Sequence, residues 1–133
     1  MMIGLDANCV IYLIEKSPHW GPKVVARLAV ARAAGDQLAV SDLSRAECLV
    51  GPFKSGDSTG LADFQRFFSS PTIRMLPIDP AVCEEAARLR ARHNFKLPDA
   101  VNLAAAILHG CGLYLTNDAK LTRCTGIAVE VLA

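Results

Sequence analysis

Apolar and polar positions along the chain follow two regimes: short apolar runs of strand length, and longer stretches in which apolar residues recur three or four apart. Residues 2–5 form the first run, and residues 7–16 follow with Cys9, Val10, Leu13 and Ile14 at helical spacing. Asp6 falls at the junction. Pro18 and the Gly21-Pro22 pair punctuate a loop, residues 23–34 read as a helix closed by Gly35, and residues 38–40 read as a second strand. Ser41 and Asp42 are N-cap residue types, so a helix is expected there, carrying Glu47 in its first turns. Residues 51–60 read as a break, 61–68 as a helix and 73–78 as a strand. Asp79-Pro80 combines a cap with proline at the first helical position of a helix expected to run to Arg92. Leu97, before Pro98, is biased toward extended backbone, and Pro98 opens a nearly all-apolar helix that reaches His109. Residues 113–115 predict a strand, 118–122 a short helix or turn, and 127–132 a last strand.

The resulting order, β-α-α-β-α-α-β-α-α-β-α-β with short strands, predicts an α/β fold: a single-domain α/β/α sandwich over residues 1–133 around a mostly parallel central sheet. Composition agrees, since 133 residues of which 52% are hydrophobic suffice for one core. A net charge of +1 provides no global positive field, so any nucleic-acid contact must come from local Arg and Lys. The five cysteines (Cys9, Cys48, Cys83, Cys111, Cys124) are scattered and never form C-x-x-C, which suits the reducing cytoplasm. No basic leader precedes an apolar stretch, and no run approaches the roughly 18 apolar residues of a membrane span. The expectation is a cytoplasmic protein without a membrane partner.

Four of the thirteen acidic residues occupy positions where open α/β sheets place ligands. Asp6 and Asp118 follow apolar strands, while Glu47 and Asp99 lie in the first turns of helices. Carboxylates gathered at one sheet edge repel, and a cation is the natural counter-charge. Oxygen ligands suit Mg²⁺ or Mn²⁺, whereas His19, His93 and His109 have no zinc spacing. Each acid also has a local role open to it. Asp6 can cap the helix beginning at Ala7, Glu47 completes an S-x-x-E capping box with Ser44, and either Asn117 or Asp118 can cap the short helix beyond. Asp99 suits a helix dipole, and Asn102 shares its face inside an apolar run, where two polar groups need partners. Asp79, with a full cap signature and no polar company, and Glu84, spaced to pair with Arg88, read as structural.

Taken together, Leu5-Asp6-Ala7-Asn8, Ser44-Arg45-Ala46-Glu47-Cys48-Leu49, Leu97-Pro98-Asp99-Ala100 and Leu115-Thr116-Asn117-Asp118 resemble, in order and spacing, the PIN-domain family. Length and motif wording look most like its VapC-type toxins, the ribonuclease halves of bacterial toxin–antitoxin pairs. The resemblance implies a PIN-like sandwich and an acidic quartet of Asp6, Glu47, Asp99 and Asp118 that holds Mg²⁺ or Mn²⁺ and hydrolyses RNA to 5′-phosphate and 3′-hydroxyl ends. It also implies support from Asn8, Thr116 and Asn117, a cognate antitoxin and a homodimer. The chain departs from the family at Ala7, where Thr or Ser is common, and at Asn102, a position usually apolar.

Arg45, Arg88, Arg92, Lys96, Lys120 and Arg123 lie near the acidic motifs, and of these Lys96, Lys120 and Arg45 are assigned to the RNA backbone. Arg88 and Arg92 share a face with Glu84, as on any solvated helix. The phenylalanines read as core, and Ser41, Ser44 and Cys9 lack the partners of a nucleophile. A dehalogenase-type phosphatase is disfavoured because Asn8 stands where its second Asp belongs. A dinucleotide enzyme is disfavoured because G-x-G-x-x-G is absent after the first strand. A non-catalytic RNA- or partner-binding PIN domain would have lost one of the four acids.

Overall fold

The short apolar runs become strands β1 (Met2–Leu5), β2 (Gln37–Ser41), β3 (Ile73–Leu76), β4 (Leu113–Thr116) and β5 (Ala128–Val131) in the computed structural model, which describes all 133 residues. The helically spaced stretches become α1 (Ala7–Ile14), α2 (Gly21–Ala33), α3 (Asp42–Ser55), α4 (Ser58–Ser69), α5 (Pro80–His93) and α6 (Leu97–Leu108). A 3-10 helix, Ala119–Arg123, joins β4 to β5. Element order is the one the pattern predicts.

All five strands are parallel, in the order β3-β2-β1-β4-β5. The chain leaves β1 toward β2 and β3 on one side and later returns to β4 and β5 on the other. Connections from the carboxyl ends of β1 and β4 therefore diverge, and a crevice opens between them, where such sheets bind ligands. Asp6 and Asp118 follow those two strands.

Each face of the sheet is covered. Ile3, Leu5, Leu38, Val40 and Leu115 pack with Val10, Val24, Phe64 and Phe68 on the side of α1, α2 and α4. Ala39, Leu76 and Tyr114 pack with Val82, Leu89 and Leu103 on the side of α5 and α6. On this second face, a Cβ at Gly4 would come 3.0 Å from the Tyr114 ring and 3.3 Å from the Ala106 Cβ. Glycine and the buried Ala104, Ala105 and Ala106 thus let α6, which carries Asp99, lie close against β1.

Several boundaries differ from the sequence reading. α3 continues through Gly51 and Pro52 and ends only where Gly56 adopts φ 71°; Pro52 is buried, so its packing offsets the missing helical hydrogen bond. Residues 51–60 are therefore the end of one helix and, after the Asp57 cap, the start of the next. α1 stops at Ile14, just before Lys16 takes φ 53°. The extended residue before α6 is Lys96, and Leu97 is already helical. Arg88 pairs with Glu85 at 3.1 Å, and not with Glu84. All five cysteines are free thiols, and no helix is long and apolar enough to cross a membrane.

Candidate active site

Asp6 takes the local role the sequence left open to it, and its second oxygen is held by β4. At the end of β1 its extended backbone (φ −77°, ψ 166°) makes it the N-cap of α1, with Oδ1 accepting from the Cys9 amide at 3.0 Å. Its other oxygen, Oδ2, accepts from the Thr116 hydroxyl at 2.5 Å. Burial pushes the Asp6 carboxyl above the ordinary aspartate value, and the Thr116 and Cys9 hydrogen bonds partly counter it. Thr116, the fully buried last residue of β4, also accepts from the Asp118 amide at 3.0 Å, so one hydroxyl ties the first acid to the turn bearing the last. Asp118 caps the 3-10 helix, accepting from the Lys120 amide at 2.9 Å. Asn117, the other candidate, instead donates to the Tyr12 hydroxyl at 2.8 Å.

Glu47 is not a capping-box member. Ser41 is the cap of α3 and accepts from the Ser44 amide at 3.0 Å, which places Ser44 inside the helix and Glu47 beyond its first turn. Glu47 Oε1 accepts instead from Asn102 Nδ2 at 3.0 Å. Asn102 thereby acquires the partner its buried place on α6 requires.

Asp99, in the first turn of α6, reports the proximity of the others. Its carboxyl is pushed above the ordinary aspartate value by burial and then by the charges of Asp118, Asp6 and Glu47, with Lys96 countering. Asp6, Asp99 and Asp118 at helix starts and Glu47 within α3 therefore share one field. No three of the chain's Asp, Glu, His and Cys side chains close into a metal-ligating group. The donor set nonetheless fits a hard divalent cation: it is all oxygen, and the neighbouring acidic charges that help raise the Asp99 carboxyl are ones a cation would offset.

Beside Asp99 and Asp118 lies a cavity of about 160 Å³ whose rim includes Lys96, Lys120, Arg123 and Asn94. A larger hollow of about 400 Å³ near Glu15, Asp57 and Asp63 contains none of the four acids. Lys96 and Lys120 stand at the acidic site as expected, but Arg45 does not line this cavity. Its guanidinium lies 5.6 Å from the Phe68 ring centre and its Nε 3.6 Å from Asp42. Arg123 lines the cavity instead: its guanidinium lies over Phe95 at 5.2 Å, and its Nε donates to the Lys120 carbonyl at 3.2 Å. The sequence signal was present, since Arg123 follows the fourth motif, but nothing local distinguished it from Arg45. Asn8 is exposed, and its amide donates to Asn117 at 3.4 Å and not to a carboxylate. Asp79 caps α5 through the Val82 amide at 2.9 Å and has polar company after all, with His109 Nε2 3.8 Å away.

The fold is similar to that of several solved structures. VapBC2 from Rickettsia felis, bound to a DNA fragment from its promoter, superposes with a TM-score of 0.83 over 100% of both chains at 20% identity. A toxin–antitoxin complex from Klebsiella pneumoniae gives 0.78 over 98% of each chain at 24% identity. VapC20 of Mycobacterium tuberculosis, described as a sarcin-ricin loop cleaving toxin, gives 0.69 over 84% of this chain and 86% of that one at 15% identity. No curated protein matches the chain. A family model, PIN domain, matches residues 3–126, from the first strand to past the fourth acid, and the chain accordingly belongs to the PIN-domain family.

Proposed function

We infer that this PIN domain is a Mg²⁺- or Mn²⁺-dependent endoribonuclease and the toxin of a toxin–antitoxin pair. The observation that carries the reading is geometric: Asp99 and Asp118 line one cavity with Lys96, Lys120 and Arg123, and Thr116 ties Asp6 to the turn that bears Asp118. Family membership and the likeness to solved toxin–antitoxin complexes support it. Asp6 and Asp99 would be the principal ligands, with Glu47 and Asp118 completing the set. A cation held there would supply Lewis-acid polarisation of the scissile phosphate and a more acidic attacking water. The chain's own groups supply the rest. Thr116 and the Cys9 amide fix both Asp6 oxygens. Lys96, Lys120 and Arg123, which line the cavity beside Asp99 and Asp118, would hold backbone phosphates, and Asn8 and Asn117 would contact the sugar or base. No side-chain nucleophile is needed, because Cys9 is buried and its thiol is pushed far above its ordinary value by burial and by Asp6. A cognate antitoxin, a homodimer and a cytoplasmic location belong to the same reading.

The test is cleavage of structured and unstructured RNA by purified protein, with product ends read by mass spectrometry. Cleavage is expected with Mg²⁺ or Mn²⁺, leaving 5′-phosphate and 3′-hydroxyl ends, and is expected to vanish in EDTA and in Asp6→Asn or Asp99→Asn. A single 2′-deoxy substitution at the scissile nucleotide should slow it only modestly, since water attacks. Full activity in EDTA, or a 2′,3′-cyclic phosphate product, overturns the mechanism. Growth arrest on expression, relieved by the product of a short neighbouring gene, tests the toxin assignment.

A further inference from the structure

Glu47 reaches the acidic site under the control of a residue that the family resemblance leaves unexplained. Asn102 lies three residues after Asp99 on α6 and is 5% exposed, in a helix whose other buried positions are Ala100, Leu103, Ala104, Ala105 and Ala106. Its amide is engaged on both sides: Nδ2 donates to Glu47 Oε1 at 3.0 Å, and Oδ1 accepts from Ser41 Oγ at 2.5 Å. Ser41 Oγ in turn accepts from the Ser44 amide at 3.0 Å. Every donor in this chain points the same way, from the α3 backbone through Ser41 and Asn102 to Glu47, and the last acceptor is a carboxylate, which accepts with both oxygens when ionised. Turning the Asn102 amide over would set its oxygen against Glu47, so the surrounding partners fix its orientation.

A purely structural role does not account for this arrangement. The start of α3 is already capped by Ser41 alone, and an apolar side chain at 102 would join α6 to α3 without the cost of burying an amide. The amide instead gives direction to the carboxylate. The geometry points to Asn102 as a positioning residue that, anchored through Ser41, holds the Glu47 carboxylate in place as a ligand of the divalent cation. This rests on the nuclease reading above. Partners of this kind, which orient a ligand without touching the metal, typically change metal affinity or activity by 10- to 100-fold.

The test combines Asn102→Leu, Glu47→Gln and the double variant, with Asn102→Ala in place of the leucine variant should the latter fail to fold. Calorimetric titration with Mn²⁺ should show binding weakened about tenfold by N102L in the native background and unchanged by it in the E47Q background. Single-turnover cleavage should fall with the affinity for RNA unaltered. In EDTA, the melting-temperature changes of N102L and of a Glu47→Ala variant should not add when the two are combined, because each removes the hydrogen bond between these side chains. Equal Mn²⁺ weakening by N102L in both backgrounds, or additive melting changes, overturns the positioning role while leaving the nuclease reading intact. Wild-type protein that neither binds Mn²⁺ nor cleaves RNA defeats the nuclease reading and, with it, the assignment of Asn102 to a cation site, even where the melting changes show the two side chains to be coupled.

Discussion

The Thr116 hydroxyl donates to Asp6 Oδ2 at 2.5 Å and accepts the Asp118 amide at 3.0 Å, so the end of β4 fixes the acid at the end of β1. Thr116→Val keeps the shape of the side chain and removes both bonds. Leaving a buried carboxylate oxygen and a half-buried amide short of a partner should cost about 1–3 kcal/mol in chemical denaturation. Mn²⁺-dependent cleavage should fall by at least about tenfold, because Asp6 loses its orientation. Unchanged stability would show that water replaces the hydroxyl at both partners.

Asp99 and Asp6 carry carboxyls raised above the model-peptide value of 3.8 in the folded chain. Raised carboxyls favour the folded state when protonated, so their contribution is fully present below that ordinary value and is lost as pH rises through the raised ones. Asp99→Asn removes one of the two losses. In EDTA, the melting temperature of the variant minus that of the native protein should become more positive as pH rises from about 3.5 toward neutrality. A flat or falling difference would show that the favourable place of Asp99 at the start of α6 outweighs its repulsion by the other acids.

Arg123 and Arg45 separate a cavity-facing cation from one held elsewhere. Arg123→Gln should weaken RNA binding and lower the salt dependence of affinity by about one phosphate contact. Arg45→Gln should leave both unchanged and act only on stability, through lost packing on Phe68. Filter binding across a salt series checks the pair, and the reverse ranking would return Arg45 to the RNA path.

Asp79 caps α5 and stands apart from the quartet, facing His109. Asp79→Ala should cost about 1 kcal/mol in unfolding and leave cleavage intact. Lost cleavage with an intact fold would mean that the acidic site includes Asp79.

Asp6, Asp99 and Asp118 were legible because each stands beside a strand end or a proline that fixes a helix start, and local rules settle such junctions. Glu47 was legible only as an acid near a helix start. Its sequence offered a capping box with Ser44, and the decision against it comes from Asn102 on a distant helix, which no local pattern displays. That Arg123 and not Arg45 lines the cavity was hidden for the same reason: long side chains go where their stems find packing, and Phe68 and Phe95 supply it. Pro52 misled because burial against the core overrode a helix breaker.

The central position of β1, between β2 and β4, also sets a schedule. A ribosome delivers Asp6 first, yet the hydroxyl that orients it and the strand that completes its crevice come from a segment 110 residues later. Any nascent chain still short of Thr116 has three of the four acids and lacks the hydroxyl that holds Oδ2 of the first, although the Cys9 amide can already hold Oδ1. The acidic site is therefore incomplete until β4 has been made and has paired with β1, and on the nuclease reading proposed above a growing chain lacks its full site until then.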